Sequence, residues 1–217
     1  MKKKILIIGA GGHGRVSAAI FTQDSRYEFS GFLDRDVSLP GVIGSSDTYR
    51  TYLHSHSFFI AIGDGVIRSD IFTNMKKNGA KFVNAIHKTA VVEPGVELGE
   101  NIFLGAFSYI NVGTRLGDTV YINNKCLIEH DNRIANHAHL APGVITGGAV
   151  VVGAYSFVGL GSVINDQITI GERTIIGSGS VVIDDVPSDA LAVGVPAIVK
   201  KLHGRRVGAR EGKKGKR

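Results

Sequence analysis

The 217-residue chain has a single cysteine, Cys126, so it offers no disulfide and no cysteine-based metal framework. It also lacks a long apolar run. The basic start leads only into Ile5–Ile8 before Gly9, too short for a signal peptide or a membrane span, and the cytoplasm is the expected compartment. No Gly-x-Ser-x-Gly elbow or Ser-His-Asp arrangement appears, which turns the reading away from an acyl-enzyme. Nor is charge spread over the chain. The formal charge is +6, and Gly204 to Arg217 alone carries seven basic residues against Glu211. The rest is neutral, so no nucleic-acid partner is expected, and residues 201–217 read as a basic, disordered tail.

What is present is a repeat. Counting in sixes from Ile86 to Val182, sixteen of seventeen positions are Leu, Ile or Val, Thr146 being the exception. The next position is Gly or Asn at eleven of fourteen places from Gly99 to Gly177, with Ala135 and Ala141 close substitutes and Glu129 the outlier. A period of six fits neither a helix nor a flat strand, so each unit is a short strand plus a turn. The aliphatic side chains point inward and stack, and the small residues are expected to supply the positive φ of sharp corners. Three units close a triangular coil, giving five to six coils.

The N-terminal part differs. Lys4–Ile8 reads as a buried strand running into Gly9-Ala10-Gly11-Gly12-His13-Gly14, then a helix over Val16–Thr22 and a second strand over Phe29–Asp34. Phe58–Asp64 supplies a third strand, and Val66–Asn78 a helix with apolar spacing at Ile67, Ile71 and Met75. Gly9, Gly11 and Gly14, with Asp34 twenty residues after the last, match the dinucleotide fingerprint. The loop suits any phosphate, because glycines let backbone approach and the helix start presents free N–H groups. About 80 residues hold only one mononucleotide-binding half. A nucleotide-linked substrate is therefore favoured over NAD and over a purely structural turn.

The repeat resembles that of the hexapeptide-repeat acyltransferases, which implies a left-handed parallel β-helix, a homotrimer, and acetyl-CoA in the groove between neighbouring helices. A short nucleotide-type domain ahead of the coil is similar to the bacterial sugar acetyltransferases. These include sialic-acid O-acetyltransferases and nucleotide-amino-sugar N-acetyltransferases. The segments Gly9–Gly14, Phe32–Asp34, Phe59–Asp64, Asn84–His87 and Ile128–Asp131 look most like the enzymes that N-acetylate UDP-4-amino-sugars. The resemblance implies a Rossmann-like βαβαβ domain over 1–83 that borders the nucleotide-sugar with Gly11, Gly12, His13, Asp34, Arg35 and Gly63. It implies an acetyltransferase β-helix over 84–200 that meets acetyl-CoA at His139, Leu160 and Ser178, with His139 on the thioester carbonyl.

The repeat also points to the chemistry. Its small-residue rule breaks at Glu129, immediately before His130 and Asp131. Attack of an amine on a thioester needs a general base, and imidazole suits it. His130 is that base. Family likeness gives the supporting carboxylate to Asp131, with Glu129 as the competitor. Two other classes stay open: a zinc lyase, since His137 and His139 lie near His130 in sequence, and a non-catalytic sugar-nucleotide-binding protein. Cys126 reads as buried rather than nucleophilic, and Thr146, beside Gly147 and Gly148, as a local distortion of the coil.

Overall fold

The computed structural model describes residues 2–201. Apart from Lys201, the basic tail lies outside them. Strand β1 (Lys3–Ile8) leads to helix α1 (Gly12–Gln23), then β2 (Tyr27–Leu33), β3 (Val42–Gly44), a 3-10 turn over Ser46–Tyr52, β4 (Ser57–Ile60) and α2 (Gly65–Lys77). The four strands form one parallel sheet in the order β3-β2-β1-β4. The sequence reading lacked β3 and the 3-10 turn, because neither carries a periodic apolar signal. It also misjudged the buried side of α2. Arg68, Ser69, Phe72 and Met75 face inward, while Ile67 stands exposed.

From Ala85 to Val182 run seventeen two-residue strands, β5 (Ala85–Ile86) to β21 (Val181–Val182). They stack in parallel into three faces of a left-handed β-helix. The second residue of each strand points inward, and from Leu104 to Val182 these residues are all buried. Face I shows Ala85, Phe103, Tyr121, His139, Phe157 and Ile175 outward. Face II shows Val91, Tyr109, Leu127, Ile145, Val163 and Val181. Face III shows Glu97, Arg115, Arg133, Val151 and Thr169. Strands β22 (Ala190–Val193) and β23 (Ile198–Lys201) then close the end of face I. Thr146 keeps regular register with Ile128 and Ile164, so the expected distortion there is absent.

The corners correct one expectation. Positive φ does not fall on the Gly/Asn column but two residues later, at Asn101, Phe107, Thr119, Lys125, Asp131, His137 and their equivalents. Residues of almost any type adopt it, and most of the N–H groups there donate to a carbonyl one coil away, as Thr119 does to Glu100 at 2.7 Å and Gln167 to Gly148 at 2.8 Å, while Phe107 donates to Thr89 Oγ1. The small residues answer a different need, clearance between coils. A Cβ on Gly153 or Gly171 would lie 2.5 or 2.3 Å from a backbone nitrogen of the next coil.

The N-terminal sheet docks on face I. Phe103 and Tyr121 pack in one apolar cluster with Ile5, Ile7 and Phe59. The end of β4 is paired by side chains of the coil. Ile60 N–H donates to Asn101 Oδ1 at 2.7 Å, and Ile60 O accepts from Asn101 Nδ2 and from the Tyr121 hydroxyl. Arg68, fully buried, donates to the carbonyls of Ile62, Gly63, Thr119 and His137 and lies over the Tyr121 ring at 4.2 Å. Beside it His137 bonds Thr119 Oγ1 at 2.5 Å and Ser69 Oγ at 3.2 Å.

Two measurements check this account. Gly153→Ala should cost about 1–3 kcal/mol by overpacking, whereas Gln167→Gly, which relieves a left-handed residue, should stay within about 1 kcal/mol of wild type in denaturant unfolding. Burial, followed by the Arg68 charge, lowers His137 to about 4 and His139 to about 3. Both are neutral in the fold, and the unfolded chain takes up protons near pH 6.5, so stability is full above that value and falls as pH drops toward 4. The melting temperature should therefore decline from pH 7 to pH 5, and His137→Gln should flatten the slope.

Candidate active site

The Gly-rich loop takes its shape from close contacts. A Cβ on Gly14 would lie 2.0 Å from Gly9 O, and Gly9 itself has φ 100°. Gly11 caps α1 without a side-chain bond, and Gly11 and Gly12 are exposed, so the first turn of the helix offers open N–H donors to an anion. Asp34 holds the loop. Its Oδ2 accepts from Ala10 N–H at 2.7 Å and its Oδ1 from Asp36 N–H at 3.0 Å. Arg35 is exposed beside it. An open groove of about 500 Å³ runs from Gly12 and Arg15 along α1 to His87, Ala106 and Asn124.

His13 leaves the loop toward the coil. Its ring centre is 5.4 Å from that of Tyr121 and 5.5 Å from that of His139, and the ring lies beside Gly63. Burial and then the Arg68 charge lower the pKa of His13. His139 is only 8% exposed, and its Nε2 has no hydrogen-bond partner among the described residues. Within one chain His139 thus belongs with His13, not with His130. Leu160 and Ser178 stack one coil apart where face I turns into face II, with Gly179 N–H donating to Leu160 O at 2.8 Å.

His130 and Asp131 form the corner between faces II and III. Asp131 Oδ2 lies 2.8 Å from His130 Nδ1, which leaves Nε2 directed elsewhere. Asp131 holds the left-handed position, φ 60°, and this turns the short carboxylate onto the neighbouring ring. Glu129 is engaged elsewhere, accepting from Asn111 Nδ2 at 2.7 Å. Gly148 of the next coil lies against the imidazole, and a Cβ there would fall 2.6 Å from His130 Cε1. The pair is half exposed, 54% and 65%. Such an imidazole can take a proton at Nε2 while the carboxylate stabilises the imidazolium.

The three histidines of the zinc alternative do not converge. His130 is on the II–III corner, His137 is tied to Thr119 and Ser69 under α2, and His139 is on face I. Among the described residues no group of three metal-ligating side chains comes together. Cys126 is buried, and burial pushes its thiol up to about 11. Sequence reasoning missed Arg68 and Asn132. Asn132 is a polar residue in an inward column that is otherwise apolar except for Thr114, which was the available signal; Arg68 lies outside the Ile67, Ile71 and Met75 spacing, which gave none.

A family model described as the PglD N-terminal domain matches residues 4–75. Among solved structures, PerB from Caulobacter crescentus in complex with CoA and GDP-perosamine is 35% identical, with TM-score 0.87 over 91% of this chain and 97% of that one. The acetyltransferase domain of PglB from Neisseria gonorrhoeae, in complex with acetyl coenzyme A, is 29% identical, with TM-score 0.88 over 92% and 100%. An uncharacterised mimivirus protein is 31% identical over 122 residues, 52% of this chain and 24% of its own length. The chain spans about a quarter of the length of the curated relatives it matches, 24% and 22%. The likeness to PerB runs through the parallel sheet, the Gly-rich loop and the coil alike, and the chain belongs to the hexapeptide-repeat family of sugar N-acetyltransferases.

Proposed function

We propose that the protein transfers the acetyl group of acetyl-CoA to the amine of a nucleotide-linked 4-amino-sugar, with His130 as general base. The observation that carries this reading is the 2.8 Å contact of Asp131 with His130 Nδ1. It orients the ring and leaves Nε2 to accept a proton from the amine as nitrogen attacks the thioester carbonyl. The tetrahedral oxyanion then collapses, and the departing CoA thiolate recovers the proton from His130. His139, a neutral imidazole by virtue of its burial, suits a hydrogen bond to that oxyanion. Leu160 and Ser178 line the course of the acyl donor. The open first turn of α1, with Gly11, Gly12, His13, Asp34, Arg35 and Gly63, borders the nucleotide-sugar, Asp34 also shaping that loop.

Geometry supports a site shared between copies. The Gly-rich loop and His139 lie on the face I side of face II, whereas His130 lies on its face III edge. Face II between them is apolar and partly exposed, with Val91 at 48%, Leu127 at 36% and Ile145 at 43%. Packing around face II, as a homotrimer, brings the loop of one copy to the base of its neighbour. No described helix is long and apolar enough to cross a membrane. We assign the enzyme to the cytoplasm and place its domain division at 83/84.

The nucleotide is read as UDP from the sequence resemblance. The GDP-perosamine bound to PerB favours GDP as a second reading. Release of CoA thiol from acetyl-CoA should be measured with UDP- and GDP-linked 4-amino-sugars and with sialic acid. One amino-sugar should turn over, with kcat falling at least about 100-fold in His130→Ala at unchanged folding. Turnover of sialic acid alone would mean O-acetylation, and a silent panel would favour a binding protein. Ile145→Glu should lower the solution mass to that of one chain and abolish turnover while the circular dichroism of the coil persists. An active monomer would refute the shared site.

A further inference from the structure

Inside the apolar coil, directly behind His130, sits Asn132, fully buried. Its column, the inward residue that precedes each face III strand, reads Val96, Thr114, Asn132, Val150 and Ile168. Three hydroxyls at this level of the coil make one recurring bond, to the carbonyl fifteen residues on. Thr114 reaches Glu129 O at 2.9 Å, Ser156 reaches Gly171 O at 2.6 Å and Ser162 reaches Gly177 O at 2.9 Å. Asn132 makes the same bond, to Gly147 O at 2.9 Å.

Its longer amide does more. Nδ2 also donates back into its own corner, to Glu129 O at 2.7 Å and His130 O at 3.2 Å. Thr114 holds Glu129 O from the coil before, and Thr146 Oγ1 accepts the Glu129 N–H from the coil after. The backbone of residues 129 and 130 is thus tied from three coils, while the His130 ring rests on Gly148. The arrangement carries a penalty, since Asn132 Oδ1 is buried without a partner. A valine, as at 150, would remove that orphan while giving up the donor to Gly147 O.

We infer that Asn132 is a positioning residue for the His130–Asp131 pair, holding the corner so that Nε2 meets the substrate amine in one orientation. The inference rests on the proposed role of His130. Misplacement of a base by about 1 Å costs on the order of 100-fold in rate, so loss of the tether should appear in kcat and not in binding.

The test compares wild type, Asn132→Val, Asn132→Thr and His130→Ala in CoA-thiol release, each with its melting temperature and pH profile. Asn132→Val should melt near the wild-type temperature, one orphan exchanged for another, lose about 10- to 100-fold in kcat with both KM values within twofold, and change the acid limb of the kcat profile. Asn132→Thr, keeping one donor, should recover part of the rate. Wild-type kcat and an unchanged profile in Asn132→Val would overturn the inference. So would losses that merely follow a lowered melting temperature in both variants. Should His130→Ala remain active, the reading of the base falls first, a result distinct from either.

Discussion

The Arg68 guanidinium is the point on which the relation between the two halves of the chain depends. It is fully buried, and its bonds run to four backbone carbonyls, two from the loop after β4 and two from corners of the coil at Thr119 and His137. Removing a cation from water costs several kcal/mol even after relaxation. Here the cost is offset by carbonyl dipoles and the Tyr121 ring face. Those carbonyls would otherwise be orphaned at a joint between non-periodic segments, so the charge fixes where Ile62 and Gly63 sit against the coil. The same charge adds to burial in keeping His13, His137 and His139 neutral. The joint and the chemistry of its imidazoles share one cause.

The coil obeys a second constraint, the close stacking of its corners. Because most corner residues with positive φ give their N–H to a neighbouring coil, the side chain at that position is released from conformational duty. Asp131 occupies such a position. The fold therefore supplies a rigid, sharply turned backbone on which chemistry-bearing residues can be placed without changing the coil. The glycine-lined clearance beside them gives the His130 ring a flat surface to rest on at Gly148.

The likeness to PerB and the PglB domain extends through both halves, and the division of labour proposed here follows from how these halves meet. With the N-terminal sheet committed to face I, the loop cannot reach the II–III corner of its own chain. The reading of a site completed by a neighbouring copy rests on that separation and on the apolar face II between the two edges.

The hexapeptide period was legible because an inward side chain must recur wherever three short strands close a coil. The Gly-rich loop was legible because close backbone approach demands glycine. His130 and Asp131 stood out because they follow Glu129, the break in a strict pattern. Their contact did not, because only the left-handed backbone at Asp131 decides that Asp rather than Glu129 meets the ring. The positions of positive φ were misread for a related reason. The one-dimensional pattern records which column is small, whereas packing between coils determines whether smallness serves φ or clearance. Sequence alone thus determined the coil and the nucleotide-type loop, and singled out the candidate residues His130 and Asp131. Tertiary structure alone decided which of them meet, since Arg68, Asn132 and the pairing of His139 with His13 depend on contacts across coils and across the joint that no local period encodes.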